Sequence, residues 1–227
     1  MKRHIEEEID KLKERILFMG GICEEMIHLS VRNFIERNVD TSEEVFKREE
    51  AVNKLQMEVD DTSARILALH QPEATDLRTI IAAMKINSDL ERIADQAVNI
   101  SQTCHFHLSK EAPVKTLIEI PRMATIAQDM LKEALDAFAK RDVNLAQSVL
   151  KRDEEEDTLK AKALNEVIGM IRKNPDHAKQ HIDHILIAKN LEKIGDHATN
   201  IAEDVIFMVM GKDIRHQSQQ EPSQTSH

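Results

Sequence analysis

The chain has 227 residues, 41 Asp+Glu against 31 Lys+Arg for a formal net charge of −10, 41% hydrophobic residues and only 3% aromatics. That hydrophobic content supports a folded, aliphatic core, while five Gly and five Pro are too few for the turns of an all-β protein. An acidic chain almost without aromatics also lacks the basic surface and stacking rings of a nucleic-acid binder. Long helices remain. Cys23 and Cys104 are the only cysteines and lie far apart, so no disulfide framework, zinc ribbon or CxxC pair is present and a reducing compartment is expected. Met1 to Glu8 lacks the apolar stretch of a signal peptide, and the longest apolar run, Val205 to Met210, is far short of a membrane span. A cytoplasmic protein is expected, associated with the membrane only indirectly through partners.

In chain order, a helical mix of apolar and charged residues runs from Glu6 to about Asn38, with a kink expected at Gly20-Gly21. A second helix is expected to start near Asp40, an N-cap residue with Glu43 three positions on, as in a capping box. Val45, Val52, Val59 and Ile66, joined by Leu55 and Leu69, make the seam of a helix packed nearly parallel to its neighbours. Proline ends it, and a third helix follows Pro72. The connection from Pro113 to Pro121 leads into a second set of helices, in which Asn144 and Gln147 match Asp40 and Glu43 and Pro175 matches Pro72. Gly211 is a natural C-terminal stop. The fold expected is all-α: six long helices in two tandem three-helix bundles, residues 1–112 and 113–211, with a disordered tail at 212–227.

The two sets are copies. Leu90-Glu91-Arg92-Ile93-Ala94-Asp95-Gln96-Ala97-Val98-Asn99-Ile100 returns as Leu191-Glu192-Lys193-Ile194-Gly195-Asp196-His197-Ala198-Thr199-Asn200-Ile201. Lys47-Arg48-Glu49-Glu50 corresponds to Lys151-Arg152-Asp153-Glu154, and Met26, Phe34 and Arg37 to Met130, Phe138 and Arg141. The chain is a tandem duplication.

Within the repeated segment, Leu90, Ile93, Ala97 and Ile100 form the buried stripe of a helix, and Glu91, Asp95 and Asn99 a second row beside it. Glu192, Asp196 and Asn200 repeat that row, and Glu203 extends it. Carboxylates at i and i+4 can chelate a hard cation, above all where a neighbouring helix adds oxygens, as Glu49 with Asn53 or Asp153 with Asp157 would. The plainer reading is the solvated flank of an amphipathic helix. Recurrence at matched positions favours contact with a metal or a specific partner. Gly195, costly in a helix interior, is expected to permit close helix approach.

Other constellations carry less. His177, His181 and His184 share a helical face that can bind a transition metal, but they have no counterpart in the first half and are expected to be exposed or to lie at a subunit contact. Glu25 and His28 match one Glu-x-x-His element of a di-iron bundle, which needs two. Phosphate-loop, dinucleotide and nucleophile-elbow motifs are lacking.

The duplicated L-E-[RK]-I-x-D-x-A-x-N-I segments, with Gln71-Pro72, Asp76-Leu77-Arg78 and the ending Ile201-Ala202-Glu203-Asp204-Val205 through Gly211 to His216, closely resemble the PhoU family. The resemblance covers nearly the whole chain. It implies a pair of three-helix bundles related by a pseudo-twofold, usually homodimeric and without enzymatic activity. It further implies a regulator between the ATPase subunit of the phosphate ABC transporter and a sensor histidine kinase, damping uptake and repressing phosphate-starvation genes when phosphate is plentiful. The family's acidic motifs, carried onto Glu91 and Asp95, Glu192 and Asp196, and Asp153 and Asp157, imply bound metal, with iron, zinc, manganese and magnesium as candidates. Two departures fall in the first half. The family's I-G-D-H-A, intact at Ile194 to Ala198, reads Ile93-Ala94-Asp95-Gln96-Ala97, and Asn53 stands where a carboxylate is expected, so weaker or lower-count metal binding is expected there. A metal-dependent enzyme using the carboxylate clusters is the rival, for which the sequence supplies ligands but no evident base.

Overall fold

The computed structural model describes residues 2–38, 40–106, 114 and 117–215. It contains six α-helices in chain order: α1 (Lys2–Glu36), α2 (Ser42–His70), α3 (Ala74–Phe106), α4 (Glu119–Lys140), α5 (Val143–Lys173) and α6 (Ala178–Met210), with a 3₁₀ turn at Pro175–His177 before the last. No strand occurs among the described residues. The C-terminal part of the expected tail, residues 216–227, lies outside the described residues, as does Pro113 in the connection.

Helices α1, α2 and α3 pack on one another, as do α4, α5 and α6. The halves are joined by α3 against α6 and by α1 against α4, and their apolar side chains form one continuous core. Aliphatic periodicity accounts for it. Val45, Val52, Val59 and Ile66 are all fully buried, as are Leu90, Ile93, Ala97 and Ile100 and their counterparts Leu191, Ile194, Ala198 and Ile201. Phe138 is the largest fully buried side chain; such burial contributes roughly 2–3 kcal/mol.

Helix ends repeat across the halves. Arg37 and Arg141, matched in the duplication, both adopt left-handed backbone (φ 53° and 55°) at the ends of α1 and α4. Gly211 stops α6 in the same region (φ 69°), its N–H donating to the Phe207 carbonyl. Beyond it Ile214 packs on the core and Arg215 reaches to 4.0 Å from Asp204.

Several expectations need correction. α1 runs without a break through Gly20-Gly21, because the missing Cβ at Gly20 is used for packing: a methyl group there would overlap the Leu135 side chain of α4. The N-caps are Thr41 and Asp142, not Asp40 and Asn144. Asp142 caps α5 itself, its carboxylate accepting from the N–H groups of Asn144 (2.9 Å) and Leu145 (3.1 Å), whereas Thr41 makes no capping bond to α2 and turns its hydroxyl to Asn33. Leu69 lies outside the seam and is 68% exposed. His181 and His184 are buried instead of exposed, because α6 packs against α3, α4 and α5 and has little free surface. The His184 ring meets Phe34 edge-on at 5.2 Å, and burial, helped by His181 and Arg37, pushes its pKa down to about 4.

Candidate functional site

The duplicated carboxylates meet carboxylates of the preceding helix in each half. In the C-terminal bundle, α5 carries Asp153 and Asp157 and α6 carries Glu192 and Asp196, and the groups act on one another across the helix pair. Partial desolvation, then Asp157 and Glu192, raise the Asp153 carboxyl. Desolvation, Glu192 and Asp153 do the same to Asp196, although it remains solvent-accessible. In the N-terminal bundle, desolvation and Asp95 raise both Glu49 on α2 and Glu91 on α3, with Asn53 hydrogen-bonding Glu49 in the reverse sense. These side chains therefore form two facing rows with shared negative charge, where a bland solvated flank would be dispersed.

One cation of the chain stands in each row. The Lys160 ammonium bonds Glu192 and lies 3.6 Å from Asp157. Arg92 lies 3.6 Å from Glu91 and 3.8 Å from Asp95.

The remaining row positions go elsewhere. Asn99 is exposed. Asn200 donates to Asp89 of α3 (3.2 Å), which also bonds His197 Nδ1 (2.8 Å), so this pair ties the halves together. Asp196, Asn200 and Glu203 line a cleft of about 460 Å³ that also receives Lys193 and Arg215. Lys85 of α3 completes the seam with an ion pair of 3.1 Å to the buried Asp204.

Sequence reasoning missed Glu156. It is 1% exposed, within the α5–α6 contact, and neither carboxylate oxygen has a hydrogen-bond partner. Burial, then Asp153, Asp196, Glu192 and Asp157, push its pKa up to about 9. Its carboxylate lies against the backbone of Gly195, where a Cβ would overlap it. The space left by Gly195 is taken by the Glu156 side chain of the neighbouring helix, α5. The duplication held the signal: a separation of 104 residues sets Glu156 opposite Val52, and one of 101 sets Gly195 opposite Ala94.

The donors of the rows are all oxygen, the chemistry that a hard divalent cation takes. Among the described residues no group of three or more His, Cys, Asp or Glu is arranged to hold a metal ion as it stands. No described helix is long and apolar enough to cross a membrane, and Cys23 and Cys104 are buried free thiols.

Comparison with known proteins agrees with the duplicated architecture. The PhoU domain model matches residues 16–104 and again 120–205. The phosphate-specific transport system accessory protein PhoU homolog of Pseudomonas aeruginosa is 34% identical over 209 residues, covering 92% of this chain and 86% of that protein. The homolog of the same name from Caulobacter vibrioides is 35% identical over 212 residues, covering 93% and 92%. The crystal structure of PhoU from Pseudomonas aeruginosa superposes with a TM-score of 0.88 at 33% identity, over 91% of this chain and 99% of that one. A PhoU from Streptococcus pneumoniae, described as a phosphate transport system regulatory protein, shares the fold (TM-score 0.84, 24% identity, 92% and 99% coverage). With both repeats matched, the chain belongs to the PhoU family.

Proposed function

We propose that this protein is a regulatory adaptor of phosphate uptake and phosphate-starvation signalling. It would act on the ATPase subunit of a phosphate ABC transporter and on a sensor histidine kinase, holding both in the restrained state when phosphate is plentiful. The observation that carries this reading is the match of both repeats, over nearly the full length, to proteins named as accessory to phosphate-specific transport. The site's acids are gathered in rows on the helix pairs α2–α3 and α5–α6. Deleting the gene should derepress a phosphate-starvation phosphatase reporter in high phosphate, and the tagged protein should retain the ATPase subunit and the kinase. Normal repression together with failure to retain either partner would refute the reading. A homodimer is part of the proposal, checked by light scattering of the purified chain.

We further propose that the rows hold divalent cations. Asp153, Asp157, Glu192 and Asp196 would hold one in the C-terminal bundle, and Glu49, Glu91 and Asp95 one in the N-terminal bundle. Iron, zinc, manganese and magnesium are the candidates, of which the oxygen-only donors suit manganese, magnesium and ferrous iron better than zinc. Bound metal would neutralise each row and cross-link the second and third helices of its bundle. Elemental analysis of protein purified without chelator, repeated for Asp95→Ala combined with Asp196→Ala, tests this.

A further inference from the structure

Helix α6 packs against α3, α4 and α5, and the face it turns away from them changes character along its length. Near the middle it carries Glu192 and Asp196; toward its N-terminus it carries Ile182 and Leu186. The same change occurs on α5. Asp153, Asp157, Lys160, Leu164 and Ile168 follow one another three or four residues apart, so they share one side of that helix, and the bond from Lys160 to Glu192 sets this side beside α6. The surface therefore turns apolar toward the α5–α6 connection. Leu164, Ile168, Ile182 and Leu186, with Phe106 of α3, are between 40% and 53% exposed, and Phe106 and Leu186 line one cleft of about 330 Å³.

A single exposed aliphatic side chain needs no explanation, but five at one end of the molecule do. The fold itself does not require them. In the first repeat Asp60 stands at the position of Leu164, Ala64 at that of Ile168 and Lys85 at that of Leu186, with Asp60 accepting from Asn87 and Lys85 paired with Asp204. Charge is reversed at the same end. In a chain of net charge −10, the stretch from Gly169 to Asn190 carries Arg172, Lys173, Lys179 and Lys189, all exposed, against Asp176 and the buried Asp183. The acidic row is too distant to cancel them: Asp157 to Ile168 and Glu192 to Ile182 span about 15–16 Å along the helices, against a screening length of roughly 8 Å at physiological ionic strength.

From this placement of aliphatic side chains among lysines we infer that the α5–α6 end of the C-terminal bundle docks on an anionic lipid surface. The apolar side chains enter the headgroup boundary and the cations meet lipid phosphates. A second copy suits the face less well, because a self-complementary contact would set these cations against one another. A protein partner also suits it less well: three of the four cations are lysines, which the cores of protein interfaces exclude, whereas a lysine stem lies along apolar surface with its ammonium at the headgroups. The contact goes beyond the adaptor reading, since it needs neither the ATPase subunit nor the kinase.

The test is flotation of the purified full-length chain with vesicles of phosphatidylcholine alone and of equal parts phosphatidylcholine and phosphatidylglycerol. Wild type should float with the mixed vesicles, less so as salt is raised, and should not float with phosphatidylcholine alone. Leu164→Asn combined with Ile168→Ala changes no charge and alters two exposed positions where the first repeat already has a polar residue and Ala; it should lower retention at least about tenfold. Lys173→Glu combined with Lys189→Glu should do the same through charge. Circular dichroism checks that both variants are folded. Failure of wild type to float with the mixed vesicles, or unchanged retention of either folded variant, overturns the inference. So does a wild-type oligomer, measured by light scattering without lipid, that Leu164→Asn with Ile168→Ala dissociates, because a second copy would then cover the face. The phosphatase reporter and partner-retention assays of the adaptor reading are unaffected by any of these results.

Discussion

Replacing Glu156 by Val and Gly195 by Ala should stabilise the metal-free protein, and the size of the effect follows from the structure. An unsatisfied buried polar group costs about 1–3 kcal/mol, and both oxygens of Glu156 lack partners at 1% exposure. Gly to Ala inside a helix adds about 1 kcal/mol; once Glu156 is gone, none of the nearest atoms around the new methyl group remains, since all three belong to that side chain. Val packs this position in the other repeat, so little is lost in shape. The net expectation is about 2–4 kcal/mol, or roughly 5–10 °C in the unfolding midpoint of a chain this size. pH provides a second readout. Glu156 holds its proton to about pH 9 in the folded state against an ordinary 4.5. Between those values the folded state binds the extra proton, so wild-type stability falls as pH rises, by up to about 1.4 kcal/mol per pH unit, and levels off once pH passes the folded-state pKa. Thermal unfolding in chelator at pH 6, 7 and 8 should show that slope in wild type and a shallower one in the variant. Asp153 and Asp196, raised in the same direction, account for what slope remains. An equal or lower midpoint with an unchanged slope would refute the claim that Glu156 sits unpaired in the core.

Three other outcomes are expected. Lys160→Ala removes the ammonium from the C-terminal row; the metal-free midpoint should drop by a few degrees, about 1 kcal/mol, while Mn²⁺ affinity should rise, and a fall in affinity would show that Lys160 supports the site instead of competing for it. Asp142→Ala should cost about 1 kcal/mol through loss of the α5 cap, and Asn144→Ala should be nearly neutral; chemical denaturation of both variants distinguishes the observed cap from the one the sequence suggested. Asp89→Ala removes the carboxylate shared by His197 and Asn200 and should cost about 1–3 kcal/mol. Amide exchange should then increase first along the α3–α6 contact, and unchanged protection there would show that this pair does not hold the halves together.

The helices and their duplication were legible because they rest on periodicity and punctuation. The valine seam of α2, the stripe Leu90–Ile93–Ala97–Ile100 and the stop at Gly211 are each a local pattern with a local cause. The rows Glu91–Asp95 and Glu192–Asp196 were legible for the same reason. Errors arose where a local rule met a long-range contact. Gly20 suggests a kink, yet it serves the approach of Leu135, 115 positions away in the chain. His181 and His184 share a face, but a helix packed on three others has little exposed face to give them. Glu156 was overlooked inside the run Asp153 to Asp157, because a run of acids normally faces water.

From its sequence alone this protein was determined to be an all-α tandem repeat of the PhoU type, acidic, with carboxylates recurring on matched helices. Those properties depend on residue order within one or two turns of helix, which a linear pattern records. Tertiary structure alone decided that Asp89 bridges the halves through His197 and Asn200, that Lys160 stands among the acids of its row, and that one acid of α5 is enclosed against Gly195 while its repeat counterpart is Val52 against the core. Each depends on the rotation and separation of two packed helices, set by the summed fit of the whole core and not by any one segment.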